Sequence, residues 1–249
     1  MRIAALSDFH IGARRHTDGF GHDPERFGRM LDRLEAEHDR VVLLGDIYQT
    51  DHTAWPRPSG SSRLLERARR RLPALAERFD RAPYLHVLGN HDAVVGPARG
   101  APERWRAPGP FAALFIHGHQ FDPIAVKARW AADLGTWSTG RLRAAGLRAV
   151  AWWLEQRDVA IKHERFGGPA GPYARGATHL LQEHGARIVV MGHTHVAGIT
   201  QLAEGVMVNT GTCSGGRTMW ASIDTQTGVV EVQGPEGVQR HRVGERSSA

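Results

Sequence analysis

Residues 2–10, with the sequence RIAALSDFH, join a short apolar run to an aspartate and a histidine that stand two positions apart. The run at 3–6 has the length and composition of a buried β-strand, so Asp8 and His10 follow where that strand would end. Residues two apart in an extended chain point to the same side, and both side chains can therefore bind one metal ion. This stretch predicts a strand that carries metal ligands to the edge of a sheet.

The same arrangement recurs four more times along the chain. Mostly apolar runs occupy residues 41–44, 85–88, 114–116 and 188–191, and they are followed by Gly45-Asp46, Gly89-Asn90-His91-Asp92, His117-Gly118-His119 and Gly192-His193-Thr194-His195. Carboxylate, imidazole and amide oxygen together suit manganese, iron or zinc. Any one of these groups also occurs in ordinary loops, and each histidine alone could be a buried core residue. Their joint occurrence in one chain indicates a site for two metal ions.

Between these groups the chain alternates strand-like and helix-like segments, which indicates an α/β fold. We predict strands at 2–7, 41–45, 84–88, 112–117 and 187–191, helices near 24–38, 63–79 and 173–184, and loops at 51–62 and 96–110. Pro73 is expected to interrupt the second helix. Runs at 198–202, 205–210, 217–223 and 228–233 are expected to form a terminal antiparallel meander. The length of 249 residues fits one domain at 1–240 with a flexible tail at 241–249.

The segment 124–166 departs from this alternation and is predicted to be a helical insert. It contains two helix-like stretches, near 124–134 and 139–158, and four of the seven tryptophans of the chain. An apolar stripe runs along it, formed by Trp130, Leu134, Trp137, Leu147, Val150, Trp153 and Leu154. Two interpretations stay open: the stripe lines a substrate lid or contacts a membrane surface, or it is only the core of a packed helical pair.

Composition sets wider bounds. The net charge of +6 favours an anionic partner such as a phosphate ester, nucleic acid or acidic lipid, although a bias toward arginine can also come from GC-rich coding. No apolar run is long enough to cross a bilayer, and the single cysteine, Cys213, cannot form an internal disulfide. We therefore expect a cytoplasmic protein, with peripheral membrane association as a variant of that expectation.

Taken together, the groups D-x-H, G-D, G-N-H-D, H and G-H-x-H resemble the motif set of the calcineurin-like metallophosphoesterases. The resemblance extends from Asp8 to His195. It implies an α/β fold built as a four-layer α/β-β/α sandwich, with metal ions at the carboxyl ends of the central strands. The general placement of ligands beyond the strand ends of open α/β sheets agrees with this expectation.

The resemblance also implies a role for each matching residue. Asp8, His10 and His195 would hold a first metal ion; Asn90, His117 and His193 would hold a second; and Asp46 would bridge the two. Manganese is expected first, with iron or zinc as alternatives. A metal-bound hydroxide would act as the nucleophile, since a bound divalent cation lowers the pKa of water to about 7. His91 would donate a proton to the leaving group and Asp92 would orient its ring, while His119 has no assigned role.

The expected activity is hydrolysis of phosphodiester, pyrophosphate or phosphomonoester bonds. The insert and residues 117–122 are similar to the corresponding parts of the UDP-2,3-diacylglucosamine hydrolases, which favours a small-molecule or nucleotide-sugar-lipid substrate. His91 and His119 depart from that subgroup, which often has arginine and aspartate there. The alternatives are a metal-dependent nuclease, a cyclic-nucleotide phosphodiesterase and a non-catalytic scaffold with this fold.

Overall fold

The computed structural model describes residues 1–52 and 62–244. Its strands are, in chain order, β1 (Arg2–Leu6), β2 (Ile11–Gly12), β3 (Arg40–Leu44), β4 (Tyr48–Gln49), β5 (Tyr84–Val87), β6 (Arg104–Ala107), β7 (Ala113–Ile116), β8 (Ile188–Met191), β9 (Ala197–Leu202), β10 (Gly205–Thr210), β11 (Trp220–Asp224), β12 (Val229–Gly234) and β13 (Gly237–Arg242). Its helices are α1 (Pro24–Glu37), α2 (Ser62–Arg71), α3 (Pro73–Phe79), α4 (Val95–Arg99), α5 (Pro123–Lys127), α6 (Arg129–Ala144), α7 (Arg148–Phe166) and α8 (Pro172–His184).

Most of the strands form two stacked sheets. The first sheet has six strands in the order β13-β12-β11-β1-β3-β5, and the second has five in the order β6-β7-β8-β10-β9. β1, β3 and β5 are parallel to one another in the first sheet, as are β7, β8 and β10 in the second. Five of these parallel strands, β1, β3 and β5 in the first sheet and β7 and β8 in the second, precede the metal-ligand groups.

Alternation of side chains along these strands divides the core into three layers of contacts. Ala4 and Leu6 face α1–α3, whereas Ile3 and Ala5 face the second sheet. The outer side of the second sheet packs against α8, with residues such as Leu181 at the contact. The order helix, sheet, sheet, helix confirms the predicted α/β four-layer sandwich.

Local sequence explains where the helices begin and end. Asp23 accepts a hydrogen bond from the Arg26 amide at 2.8 Å and Pro24 occupies the first turn, so α1 begins where a capping residue and a proline stand together. Pro73 ends one helix and begins another, because it cannot donate the backbone hydrogen bond that a continuous helix needs. The predicted interruption at Pro73 is therefore confirmed.

Outside the insert, two sequence-based assignments of secondary structure were wrong. The predicted terminal meander is divided between the sheets, because β9 and β10 pair beside β8 whereas β11–β13 extend the first sheet from β1. The predicted loop at 96–110 contains α4 and the edge strand β6. β13 extends to Arg242 and Val243 is buried, so the described start of the predicted tail packs with the sheet, while the division into one domain and a flexible tail stays a prediction. Residues 53–61 of the predicted loop at 51–62 lie outside the described residues, as do residues 245–249.

The insert consists of α5, α6 and α7, with breaks that differ from the predicted ones. α6 continues through the predicted gap at 135–138, and the chain turns at residues 145–147, where Gly146 has a φ of +85°. Glycine adopts this left-handed conformation without the cost that a side chain would add. None of the described helices is both long enough and apolar enough to cross a membrane.

Candidate metal centre

The predicted metal ligands converge at one edge of the two sheets. Asp8 and His10 follow β1, Asp46 follows β3 and Asn90 follows β5 in the first sheet, whereas His117 follows β7, and His193 and His195 follow β8, in the second. Each parallel strand ends on the same side of its sheet, so the polar residue that follows it emerges at the shared edge. The first two strand-end groups are also held together by backbone, because the Asp8 amide donates to the Gly45 carbonyl at 3.1 Å.

Three groups of side chains at this edge have the spacing of metal ligands. The groups are Asp8, His10 and His195; Asp46, His117 and His193; and His10, Asp46 and His91, and within each the ligand atoms lie within 4.8 Å of one another. The distances include 3.0 Å from His195 Nε2 to Asp8 Oδ1 and 3.1 Å from His117 Nε2 to Asp46 Oδ2. Asp46 belongs to two of the groups, as does His10, and the bridging role of Asp46 stays a prediction.

Unpaired buried atoms also fit a cation at this edge. Asn90 Oδ1 is buried and has no hydrogen-bond partner among the described residues, and the buried His117 Nε2 lies 3.1 Å from Asp46 Oδ2 but outside hydrogen-bond geometry. Buried polar atoms are seldom left in this condition, because the loss of water is then uncompensated. An amide oxygen and an imidazole nitrogen are both good ligands for a divalent transition metal. The residues present therefore fit the two metal ions that the motifs imply.

The backbone is strained at the same positions. Asp8, His10, Asp46, His193 and His195 have φ between +52° and +64°, and they are the non-glycine residues with positive φ in the described part of the chain. This conformation is uncommon for residues with a side chain and costs roughly 1–3 kcal/mol at each position. Such strain is typical of functional sites, where the backbone must hold particular side chains in a fixed direction. Each of these strained residues is a predicted metal ligand.

Glycines allow the strand-end loops to approach one another. A Cβ on Gly89 would collide with the carboxylate and backbone of Asp46, and a Cβ on Gly45 would lie 2.6 Å from the His117 ring. Neither position can accept a side chain without moving a predicted ligand. Glycine is therefore required at both positions, because a larger residue would clash with a predicted ligand.

The electrostatics keep the two central carboxylates ionised. Burial alone raises the pKa of Asp8, but His195 and His117 outweigh it and hold that pKa below its usual range. Burial likewise opposes ionisation of Asp46, whose pKa is nevertheless lowered by His117 and His91. For His117, burial lowers the pKa and Asp46 more than reverses this, raising it to about 9. The centre thus offers two buried anions within an arrangement of imidazoles.

His91 is held by a carboxylate that the sequence reasoning missed. Its Nδ1 lies 2.6 Å from Asp51 Oδ2, while its Nε2 lies 3.9 Å from Asp46 Oδ2 and so faces the metal ligands. Burial lowers the pKa of His91, but Asp51 and Asp46 outweigh this effect and raise it to about 10. Asp51 belongs to no strand-end group, and no signal in the sequence distinguishes it from an ordinary loop aspartate.

Asp92 does not make the predicted contact with the His91 ring. Its buried carboxylate instead accepts four backbone hydrogen bonds, from the amides of Asp46, Ile47, Tyr48 and Gly89, at 2.8–3.2 Å. An ionised carboxylate is well suited to this task because it is an acceptor only, with two oxygens to share. The structure thus places Asp92 beneath the loop that presents Asp46 and assigns orientation of His91 to Asp51.

Gln49 and His119 occupy two further positions at the centre. Gln49 Oε1 lies 2.7 Å from His10 Nδ1 and Gln49 Nε2 lies 3.1 Å from His91 Nδ1, so one amide touches a predicted ligand and the predicted acid. The His119 ring lies tilted against His117 at a centroid distance of 5.5 Å, and His119 is not a member of any of the three groups. Burial and the neighbouring His117 lower the pKa of His119 to about 3.

The insert lies against the loops that flank the metal centre. Gly140 of α6 packs on the His52 ring, and Arg143 Nη1 donates to the Asp18 carbonyl at 3.3 Å. Arg148 Nη2 donates to the Arg15 carbonyl at 3.2 Å. His52 is adjacent in sequence to Asp51, which holds His91. The insert therefore contacts the loops that flank the metal centre, including the residue next to Asp51.

Comparison with known families gives one match over most of the chain. The family described as calcineurin-like phosphoesterase matches residues 1–197. This range begins before Asp8, ends after His195 and contains every predicted ligand. No curated protein sequence matches the chain significantly.

Several solved structures are similar in fold. Vacuolar protein sorting 29 from Cryptosporidium parvum has a TM-score of 0.51 and 13% identity, with 99% of this chain and 98% of that chain covered. Vps29 from Chaetomium thermophilum has a TM-score of 0.50 and 11% identity, with coverage of 98% and 97%. YfcE, a phosphoesterase from E. coli, has a TM-score of 0.48 and 16% identity, with coverage of 98% and 100%. At these identities the likeness concerns the fold alone.

Proposed function

The chain belongs to the calcineurin-like phosphoesterase family, and we propose that it is a dinuclear-metal hydrolase of phosphodiester, pyrophosphate or phosphomonoester bonds. The observation that carries this proposal is the set of three overlapping ligand groups. His10 belongs to two of them and Asp46 to two, and the buried oxygen of Asn90 has no hydrogen-bond partner among the described residues. Asp8, His10 and His195 would hold one ion; Asn90, His117 and His193 would hold the other; and Asp46 would touch both. Manganese is the first candidate, with iron and zinc as alternatives.

Two bound cations would neutralise charge on a phosphate ester and make a water molecule acidic enough to be a nucleophile near neutral pH. The protein itself would fix the positions of the metal ligands relative to one another and to the substrate. The strained loops after β1, β3 and β8 aim the ligands, and Asp92 holds the backbone that presents Asp46. A centre fixed before substrate arrives does not have to reorganise during the reaction.

His91 is the proposed general acid. Asp51 holds Nδ1 and stabilises the charged ring, which leaves Nε2 and its proton directed toward the ligand side of the site. A leaving oxygen within reach of Nε2 would receive that proton. Acid catalysis of this kind contributes about 10²–10⁴-fold to rate, and it matters most for esters with poor leaving groups.

The insert is the proposed determinant of substrate choice. It exposes a group of large apolar side chains that includes Val126, Trp130, Leu134, Leu147, Val150, Trp152 and Trp153. Exposed apolar surface of this extent is typical of a binding surface, and exposed arginines such as Arg141 and Arg148 lie on the same insert. We therefore favour a phosphate-containing substrate with an apolar part, such as a nucleotide-sugar lipid, met at a lipid surface.

The test is hydrolysis of bis(p-nitrophenyl) phosphate and p-nitrophenyl phosphate by metal-stripped protein refilled with Mn²⁺. We expect metal-dependent cleavage of the diester that Asp46→Asn abolishes and His91→Ala lowers by about 10²-fold or more. His179→Ala, which changes an exposed histidine on α8, is the matched control and should leave the rate unchanged. Cleavage of the monoester alone would identify a simple phosphatase instead.

Two alternatives have their own outcomes in this scheme. If the protein binds two metal ions but hydrolyses neither ester and no UDP-sugar lipid, a non-catalytic scaffold is favoured. Metal-dependent cleavage of DNA or of a cyclic nucleotide in preference to these esters would favour a nuclease or a cyclic-nucleotide phosphodiesterase. Binding to duplex DNA that weakens steeply with salt would distinguish the nuclease.

A further inference from the structure

Asp122 lies where the insert joins the metal centre. It directly precedes α5, and its Oδ1 accepts hydrogen bonds from the amides of Ile124 and Ala125 at 2.8 and 3.3 Å, which caps that helix. Its Oδ2 lies 3.0 Å from His193 Nε2 and 3.2 Å from Lys162 Nζ. With 1% of its surface exposed, Asp122 joins a predicted ligand to the first and last helices of the insert.

Lys162 is the cation that accompanies this buried carboxylate. It lies on α7 with a side chain only 21% exposed, and it also pairs with Asp158 at 2.9 Å. Its pKa is lowered by burial but raised more strongly by Asp158 and Asp122, so it stays charged. A buried anion without such a partner would be costly, and removal of Lys162 would leave Asp122 in that condition.

The contact also decides which nitrogen of His193 can bind metal. The bond to Asp122 occupies Nε2 and leaves Nδ1 as the nitrogen with a free lone pair. Tyr173 and His117 flank the ring at centroid distances of 6.3 and 5.3 Å, which limits its rotation. Carboxylates that hold the second nitrogen of a ligating histidine typically change metal affinity by 10–100-fold.

We propose that Asp122 and Lys162 are positioning residues for His193, and that through them the insert and the second metal site stabilise each other. This inference rests on the second metal site of the proposed function. Thermodynamic linkage is reciprocal. If the ion pair between Lys162 of α7 and Asp122 strengthens metal binding, then metal binding must strengthen the packing of α7 through that ion pair. The insert is thus coupled to the occupancy of one ion, the one bound by Asn90, His117 and His193.

The first test measures metal binding directly, by calorimetric titration of metal-stripped protein with Mn²⁺ and by metal analysis after dialysis. We expect two sites in the natural chain and a 10–100-fold weaker affinity at one of them in Asp122→Asn and Lys162→Met. Lys162→Arg should restore most of the affinity. Lys127→Met changes the other lysine of the chain, which is exposed at the end of α5, and should have no effect.

The second test is hydrogen exchange of residues 148–166 with and without Mn²⁺. We expect metal to slow exchange in α7 of the natural chain and to have little effect there in Lys162→Met. Equal affinities in all variants, equal protection of α7 in natural chain and variant, or no metal binding at all would overturn the proposal. Binding with the expected pattern but no ester hydrolysis would refute the proposed function and leave this inference standing.

Discussion

The imidazole of His91 and the carboxylate of Asp92 are adjacent in sequence but have separate tasks in the structure. The ring is held from another loop by Asp51, at 2.6 Å, whereas Asp92 points away and is enclosed by four backbone amides. Both residues lie in the bend that follows β5, and their side chains reach different partners. Substitution of each aspartate should therefore have a different consequence.

Asp51→Asn should damage turnover and leave the fold intact. Loss of the negative charge beside Nδ1 removes stabilisation of the protonated His91 ring, so we expect kcat to fall by about 10-fold or more, within the ~10²–10⁴-fold that acid catalysis supplies. The decrease should be larger for a diester with an alkyl leaving group than for bis(p-nitrophenyl) phosphate. Steady-state kinetics on both esters checks this, with unchanged thermal unfolding as the control, and an equal decrease for both would argue against an acid role.

Asp92→Asn should instead damage the fold and the metal centre. The asparagine amide would place donors against backbone donors of the loop that carries Asp46, and lost hydrogen bonds to a charged group cost roughly 1.5–3 kcal/mol each. We expect the free energy of unfolding to fall by about 2–4 kcal/mol, with weaker Mn²⁺ binding. Urea denaturation of metal-free protein measures the first effect. A stable Asp92→Asn protein with impaired turnover alone would restore the role that the motif implied.

At the scale of the elements, the sequence predicted best what a local pattern determines. Each strand that ends at a ligand group was found within one or two residues, because a buried parallel strand is a short apolar run with polar residues after it. The allocation of β9–β13 was not predictable in this way, since similar runs pair with either sheet and long-range pairing decides. Asp51 was missed for the same reason: its contact with His91 joins residues 40 positions apart.

The insert also shows the limit of local pattern. Its helical content was predicted, but α6 runs through the glycine and threonine at 135–136 despite their low helix propensity, and it contacts His52 at Gly140. The apolar stripe remains largely exposed, with 73% of Trp130 and 52% of Trp153 accessible, and Val126 of α5, outside the stripe, is 61% accessible. The stripe is therefore not explained by packing of the helical pair alone.

Exposure of the stripe gives a prediction about lipid binding. We expect the protein to sediment with vesicles that contain anionic and zwitterionic lipid. Burial of one large apolar side chain contributes about 1.5–3 kcal/mol, so the affinity of the double variant Val126→Ser, Trp130→Ser for the vesicles should be lower by about 10-fold or more. Val238→Ser, at a residue of β13 that is 62% exposed outside the insert, should bind like the natural chain. Binding that depends on salt but not on either substitution would assign the interaction to charge alone.

At the scale of the whole molecule, the metal centre lies across the junction of the two sheets. Asp8, His10, Asp46 and Asn90 come from the first sheet, whereas His117, His193 and His195 come from the second. Asp8 also joins the sheets directly, because its carboxylate accepts a hydrogen bond from the His193 amide at 3.0 Å. Each proposed ion would have ligands from both sheets, so metal binding should stabilise the assembly of the sandwich as well as the site.

Removal of metal should therefore lower the thermal stability of the entire domain. A ligand at 100 times its Kd stabilises the folded state by about 2.7 kcal/mol per site, which corresponds to a rise in Tm of roughly 5–11 °C for a chain of this size. Because two ions are removed together, we expect about twice this difference between Mn²⁺-loaded and EDTA-treated protein in differential scanning calorimetry, and a much smaller one for Asp46→Asn, which lacks the shared carboxylate. His10→Ala and His117→Ala should each retain part of the stabilisation, because each disables one ion only. If either substitution removed the entire metal-dependent rise in Tm, the two ions would not bind independently. The two sites would then form one cooperative centre, and the expectation of two separate contributions to stability would be wrong.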